Sequence, residues 1–296
     1  MGGRPRAASF VSGHAMRYVL KTLGRDLAMG LVLAMGIATA AAAPPSVHAL
    51  EGARYFFRAK DGTILTLLML DFLAAREGPT YVGAASVEET DRRGEALPGA
   101  SAQTVSLEMG SGPAMQGKAT FFGRVYLLSG RSYLVRYVVK NETDDEIFLK
   151  NALVVVPYLN GGFSASSVVP AEQFGPANSD AGPFQVGSEE VVPKAGGIFR
   201  RSELLRLYLQ VYDATVDSST SQSRVDVAFR FYRQVKGSSK RQGKPYWVRR
   251  AAGASMGLAL PIGDWPTGSY RVVVELHDRL TSALTSTEGS FSIVED

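Results

Sequence analysis

From residue 50 onward, apolar and polar residues alternate in short runs broken by clusters of Gly, Pro, Asp and Ser. A period of two puts successive side chains on opposite sides of a strand, and turn residues at this spacing set the rhythm of a sheet-on-sheet protein. The pattern predicts strands over 54–58, 63–72, 80–88, 103–109, 119–128, 132–140 and 146–156, after which Pro157 and Asn160-Gly161-Gly162 stop it. Asp61-Gly62 supplies the first tight turn, because glycine takes positive φ at no steric cost. A second set of strands is predicted over 204–212, 225–234, 246–250, 255–260, 270–277 and 289–294. The Ser-, Pro- and Gly-rich stretch between the sets reads as a linker, or as an irregular crossover that opens the second set.

Two strands of the second set alternate cleanly. Leu205, Leu207, Leu209 and Val211 point one way, with Arg206, Tyr208, Gln210 and Tyr212 opposite; Val225, Val227, Phe229 and Phe231 share a side, with Asp226, Ala228, Arg230 and Tyr232 opposite. One buried and one solvated face is what an antiparallel sandwich strand requires. The two regions also share a signature. Leu128-Ser129-Gly130-Arg131-Ser132-Tyr133 and Trp265-Pro266-Thr267-Gly268-Ser269-Tyr270 each place a glycine turn just ahead of a strand-initial tyrosine. Such a ring packs in the core while its hydroxyl bonds nearby backbone, as at a sandwich corner.

The first 49 residues have the grammar of an export signal: Arg17, Lys21 and Arg25, an apolar run from Leu27 to Ala43, then small residues at two cleavage positions, after Ala43 or after Ala49. Starting at Met16 would give a more compact signal, and a retained anchor is the alternative to cleavage. The expected organisation is therefore a signal peptide over 1–49, a first β-sandwich over 50–160, a linker or crossover over 161–187 and a second β-sandwich over 188–296. The fold class is all-β, with two tandem immunoglobulin-like or fibronectin-III-like sandwiches.

Charge changes the picture once the leader is set apart. Lys plus Arg outnumber Asp plus Glu by 32 to 28. The leader holds Arg4, Arg6, Arg17, Lys21 and Arg25 against Asp26 alone, so removing five from 32 and one from 28 leaves 27 of each sign. A chain neutral overall is not built as a general nucleic-acid binder. With no cysteine, disulfides, thiolate metal sites and a lipoprotein anchor are excluded. The periplasm or exterior of a Gram-negative cell is the expected location, with no stable membrane span after leader cleavage.

The second region, from Phe199-Arg200-Arg201-Ser202-Glu203 through LYLQVYDA, DVAFRFYR and WPTGSYRVVVELHDRLT, resembles the C-terminal β-sandwich region of secreted bacterial GWxTD-domain proteins. In those proteins the preceding sandwich likewise ends in a Pro-bounded segment, like VVPYLNGGFSASSVVPAEQF here. The part bearing the motif itself is absent, and Gly263-Asp264-Trp265 is not that motif. The resemblance implies export and β-sandwich modules, and brings no functional residue with it.

Catalytic chemistry has little to work with. His277 is the one histidine after the leader and falls on an outward strand position, which disfavours a Ser-His-Asp triad and a zinc site. Carboxylates alone could still build a hydrolase, but nothing singles out a pair. The acidic turn Asn141–Glu146 offers oxygen ligands without the glycine and spacing of a calcium loop, and reads as a solvated hairpin. No catalytic residue, metal or cofactor is therefore expected. The distinctive stretch is Ala228–Gly263, which holds Arg230, Arg233, Lys236, Lys240, Arg241, Lys244, Arg249 and Arg250 with Tyr232, Tyr246 and Trp247, and no acid. It reads either as a soluble hairpin with a tip at Lys236–Pro245 or as a surface for polyanions. If strands 204–212 and 225–234 are neighbours, Arg206, Tyr208, Tyr212, Arg230 and Tyr232 extend it into a face rich in interface-type residues. The leading expectation is a non-enzymatic interaction or envelope-assembly module binding another envelope or secreted protein. The alternative is a carbohydrate- or polyanion-binding domain using the basic aromatic hairpin, with an anionic glycan or lipid as ligand.

Overall fold

A computed structural model describes residues 53–73, 81–109, 118–140, 146–177, 184–251 and 254–296; the leader and the acidic turn over 141–145 lie outside them. The described residues form one compact unit, and its regular elements are strands apart from one turn of 3-10 helix at Ala195–Gly197. Among the described residues no helix is long and apolar enough to cross a membrane. The first half contains β1 (Arg54–Arg58), β2 (Ile64–Leu73), β3 (Val82–Thr90), β4 (Gln103–Met109), β5 (Lys118–Leu127), β6 (Ser132–Lys140) and β7 (Glu146–Val155). The next stretch contains β8 (Ser164–Ala165), β9 (Val169–Pro176), β10 (Gln185–Val186), β11 (Glu189–Pro193) and β12 (Ile198–Arg200). Then come β13 (Leu204–Tyr212), β14 (Val216–Asp217), β15 (Gln222–Ser223), β16 (Val225–Val235), β17 (Ser238–Ala251), β18 (Ser255–Pro261), β19 (Gly268–Asp278) and β20 (Leu284–Val294).

In the first half the strands hydrogen-bond in the order β1-β2-β5-β4-β3-β6-β7. The ribbon folds over at β4, which pairs with β3 along most of its length but meets β5 only at Glu108 and Met109. The core lies inside the fold, with Ile64, Leu68 and Leu70 of β2 against Val135, Tyr137 and Val139 of β6. The second half stacks β10-β11-β9-β13-β18 on β12-β20-β19-β16-β17. Leu205, Leu207 and Leu209 of β13 meet Val227, Phe229 and Phe231 of β16 and Val272, Val274 and Leu276 of β19. The inward rows read from alternation are these rows, and the all-β sandwich class is what the chain adopts.

The stretch over 161–187, expected as linker or crossover, contributes strands instead. β9 pairs with β11 on one side and β13 on the other, and β8 pairs with the end of β13. Val168, Val169 and Ala171 are buried there, so its Ser- and Pro-rich composition flanks a short apolar core that the turn residues obscured.

Both strand-initial tyrosines behave as the sandwich-corner pattern predicts. The Tyr133 hydroxyl accepts the backbone N–H of Leu128 at 3.0 Å. The Tyr270 hydroxyl donates to the Pro266 carbonyl at 2.5 Å, and its buried ring stacks on Phe291 at 5.3 Å.

Candidate functional site

Strands β13 and β16 lie in opposite sheets of the second half. Arg206, Tyr208 and Tyr212 therefore do not share a surface with Arg230 and Tyr232, and the extended face expected from both strands does not exist. Tyr208 and Tyr212 are buried, at 0% and 7% exposure. The outer face of β13 is covered by the first half. Tyr55, Phe57, Leu65 and Leu67 of β1 and β2 pack on Val169, Ala171, Val191 and Tyr208 as a third apolar core.

Polar groups knit this joint at its rim. The Arg58 backbone N–H donates to the Tyr212 hydroxyl, which donates to Gln210 Oε1; Gln210 Nε2 donates to the Tyr208 hydroxyl, each at 3.0 Å. The Arg58 guanidinium forks onto Asp213 at 2.5 and 2.9 Å and lies 4.6 Å from the centre of the Tyr212 ring. That pairing holds the Asp213 carboxyl below its usual range, while burial pushes the Tyr212 phenol up to about 12. Arg206 is half-buried and donates to the Glu172 carbonyl at 3.3 Å. Tyr208 and Tyr212 thus act inside the protein, and Arg206 bonds at its edge.

Of the remaining candidates, Arg230, Tyr232, Arg241 and Trp247 share the outer side of one sheet, whereas Lys240 pairs with Arg233 and Tyr246 with Phe229, on the side of Phe229 and Phe231. β16 turns into β17 through Lys236 and Gly237, both at positive φ (45° and 79°), the two-residue geometry whose twist suits a hairpin. The tip is this turn alone, and Ser238–Pro245, expected as loop, is strand. On the outer face of the sheet, Tyr232 stands between Arg241 of β17 and Arg271 of β19, with the Arg271 guanidinium 5.5 Å from its ring centre. Strand spacing puts the two arginine rows about 10 Å apart. In a neighbouring row Trp247 sits opposite Ala228, whose methyl leaves the sheet flat beneath the indole. Trp247 is 49% exposed, and the Arg249 guanidinium lies 5.4 Å from its ring centre.

Charge on this face is only partly matched. Arg230 pairs with Glu275 at 2.9 Å and Arg271 with Glu288 at 3.4 Å. Along the hairpin as a whole, on both of its sides, Lys236, Lys240, Arg241, Lys244 and Arg249 have no carboxylate partner among the described residues. His277 sits half-buried on the same outward side of β19 as Arg271 and Glu275. Among the described residues no group of three or more His, Asp or Glu side chains is placed to hold a metal ion.

A larger opening of about 660 Å³ lies between the halves, with Arg54, Asp71, Gln234, Arg271 and Glu288 among its walls. Of its charged groups, Asp71 accepts from Thr120 at 2.7 Å, Arg271 pairs with Glu288, and Arg54 donates to the Leu153 carbonyl at 3.0 Å while its buried Nε has no partner among the described residues. The hairpin gathers more cations without carboxylate partners than this opening does.

No protein-family model matches the chain, and no curated protein is recognisably similar in sequence. Among solved structures it is similar to a DUF4785 family protein from Legionella pneumophila, at 12% identity and a TM-score of 0.23. The similarity covers 78% of this chain and 56% of that one. At that level it assigns nothing to the site, which stands on its own geometry. The hairpin was visible in sequence as an acid-free basic run. The burial of Tyr208 and Tyr212 was not, because alternation does not reveal what covers a strand's second face.

Proposed function

We propose that the protein is a non-enzymatic, exported binding protein that holds an anionic glycan on the outer face of β16, β17 and β19. The supporting observation is a hairpin carrying cations that lack carboxylate partners, with Arg241 and Arg249 on the outer side alongside the exposed Trp247, and Lys240 and Lys244 along its edge. Cations free of internal carboxylates keep their attraction for sulfate, phosphate or carboxylate groups, and an exposed indole gives a sugar ring a flat surface to lie on. A chain neutral overall can still concentrate positive potential on one strand, and this locality separates the reading from general polyanion binding. The protein-partner expectation drew on Tyr208 and Tyr212, which the joint consumes.

Retention of the exported protein on a sulfated polysaccharide column tests the reading. Binding should weaken steeply as salt rises, because exposed charges are screened within about 10 Å at 0.1 M. Replacing Lys240, Arg241 and Lys244 together with Ser should abolish retention and leave folding intact. Retention unchanged in that variant, or a protein captured through the same residues with no glycan retained, would overturn it.

A further inference from the structure

The hairpin carries a pocket at the sheet edge, on the side of β17 that faces Phe229 and Phe231 rather than on the outer face. Phe231 pairs with Gln242 and Phe229 with Tyr246, so Gly243, Lys244 and Pro245 together stand opposite Arg230. This bulge needs one residue at positive φ, which Gly243 supplies at 67°. It opens a pocket of about 310 Å³ lined by Gln242, Gly243, Lys244, Pro245, Tyr246 and Trp265. Two of its walls are aromatic and fixed. Tyr246 and Trp265 both stand edge-on to the buried Phe231, at 6.2 and 4.9 Å between ring centres, and Trp265 leans on Tyr270 at 5.5 Å. The same bulge, with a proline that lacks an N–H, makes this edge a poor template for an added strand. Its occupant is therefore read by side chains.

Resting on the glycan reading above, we infer that this pocket seats one pyranose unit bearing an anionic substituent. The ring lies between Tyr246 and Trp265, Lys244 faces the anion, and the Gln242 amide bonds a hydroxyl. The volume is at the low end of the ~300–1,000 Å³ typical of small-molecule sites, which favours one ring over a longer stretch of chain. Aromatic faces are electron-rich and attract the polarised C–H groups of a sugar, while Lys244 supplies the charge selection that rings alone lack.

The chain has two tryptophans, Trp247 and Trp265, so the exported protein labelled with 5-fluorotryptophan gives one ¹⁹F resonance for the pocket and one for the open face. Single Trp→Phe variants assign them. A sulfated tetrasaccharide should shift the Trp265 resonance saturably, and neutral maltotetraose should not. Lys244→Gln should weaken the Trp265 response at least tenfold; the side chain is exposed, and the unchanged free spectrum would verify the fold. A Trp247 shift with Trp265 silent, or a Trp265 shift that Lys244→Gln leaves intact, would overturn the pocket assignment and leave the open face standing. No shift at either tryptophan, with no column retention, would overturn both.

Discussion

At the scale of single residues, Asp278 shows how a turn is locked by charge. The sequence marks 278–282 only as the polar end of a strand. In the fold Asp278 is fully buried and accepts the N–H groups of Leu280 and of Thr215, a residue 63 positions away, both at 2.9 Å. Burial works against ionisation, but these bonds and the hydroxyls of Thr215 and Thr281 outweigh it and hold the carboxyl at about 2, below its ordinary 3.8. A folded pKa below the unfolded one adds stability that is complete above the unfolded value and lost as pH falls toward the folded one. The size is about 2 kcal/mol at neutral pH. Asp278→Asn should therefore lower urea stability by about 2 kcal/mol at pH 7, with the gap to wild type narrowing between pH 4 and pH 2. A gap independent of pH would mean that shape, rather than charge, fixes the turn. The long-range partner is what a local reading had no means to supply.

At the scale of elements, β2 and β13 show where alternation informs and where it misleads. The inward rows of β13 and β16 follow from periodicity alone, because one apolar face has to find the core. The outward row of β13 was read as solvated, since Arg206, Tyr208, Gln210 and Tyr212 are polar or amphipathic. The stronger signal lay on β2, whose Ile64-Leu65-Thr66-Leu67-Leu68-Met69-Leu70 barely alternates. A nearly continuous apolar run is the mark of a strand covered on both faces. Leu68 and Leu70 fill the first core while Leu65 and Leu67 fill the joint. Leu67→Ala should then cost as much as Leu68→Ala, about 2–5 kcal/mol each in chemical denaturation, because both remove buried methyl groups from a packed site. A Leu67→Ala cost below about 1 kcal/mol would mean that the joint is open in solution.

At the scale of the whole molecule, the joint determines whether the halves behave as one body. Its apolar centre pairs Phe57 with Tyr208, 6.2 Å between ring centres, and its rim carries the Arg58, Tyr212 and Asp213 cluster. Opening it would expose Tyr55, Leu65, Val169 and Val191 to water, so unfolding either half costs the other its cover. The wild-type protein should therefore unfold in a single transition, coincident by far-UV circular dichroism, which sees both halves, and by tryptophan fluorescence, which sees the second half alone. Phe57→Ala combined with Tyr208→Ala removes the two facing rings and should separate the transitions, with fluorescence following only the second. The proposed sulfated-glycan ligand adds a discriminating measurement, because a ligand raises the midpoint of whatever unfolds together with its site. In the wild type it should shift both signals equally, and in the double variant it should shift the fluorescence transition alone. Separate transitions already present in the wild type would mean that the joint couples the halves too weakly to fix the proposed binding face relative to the first half.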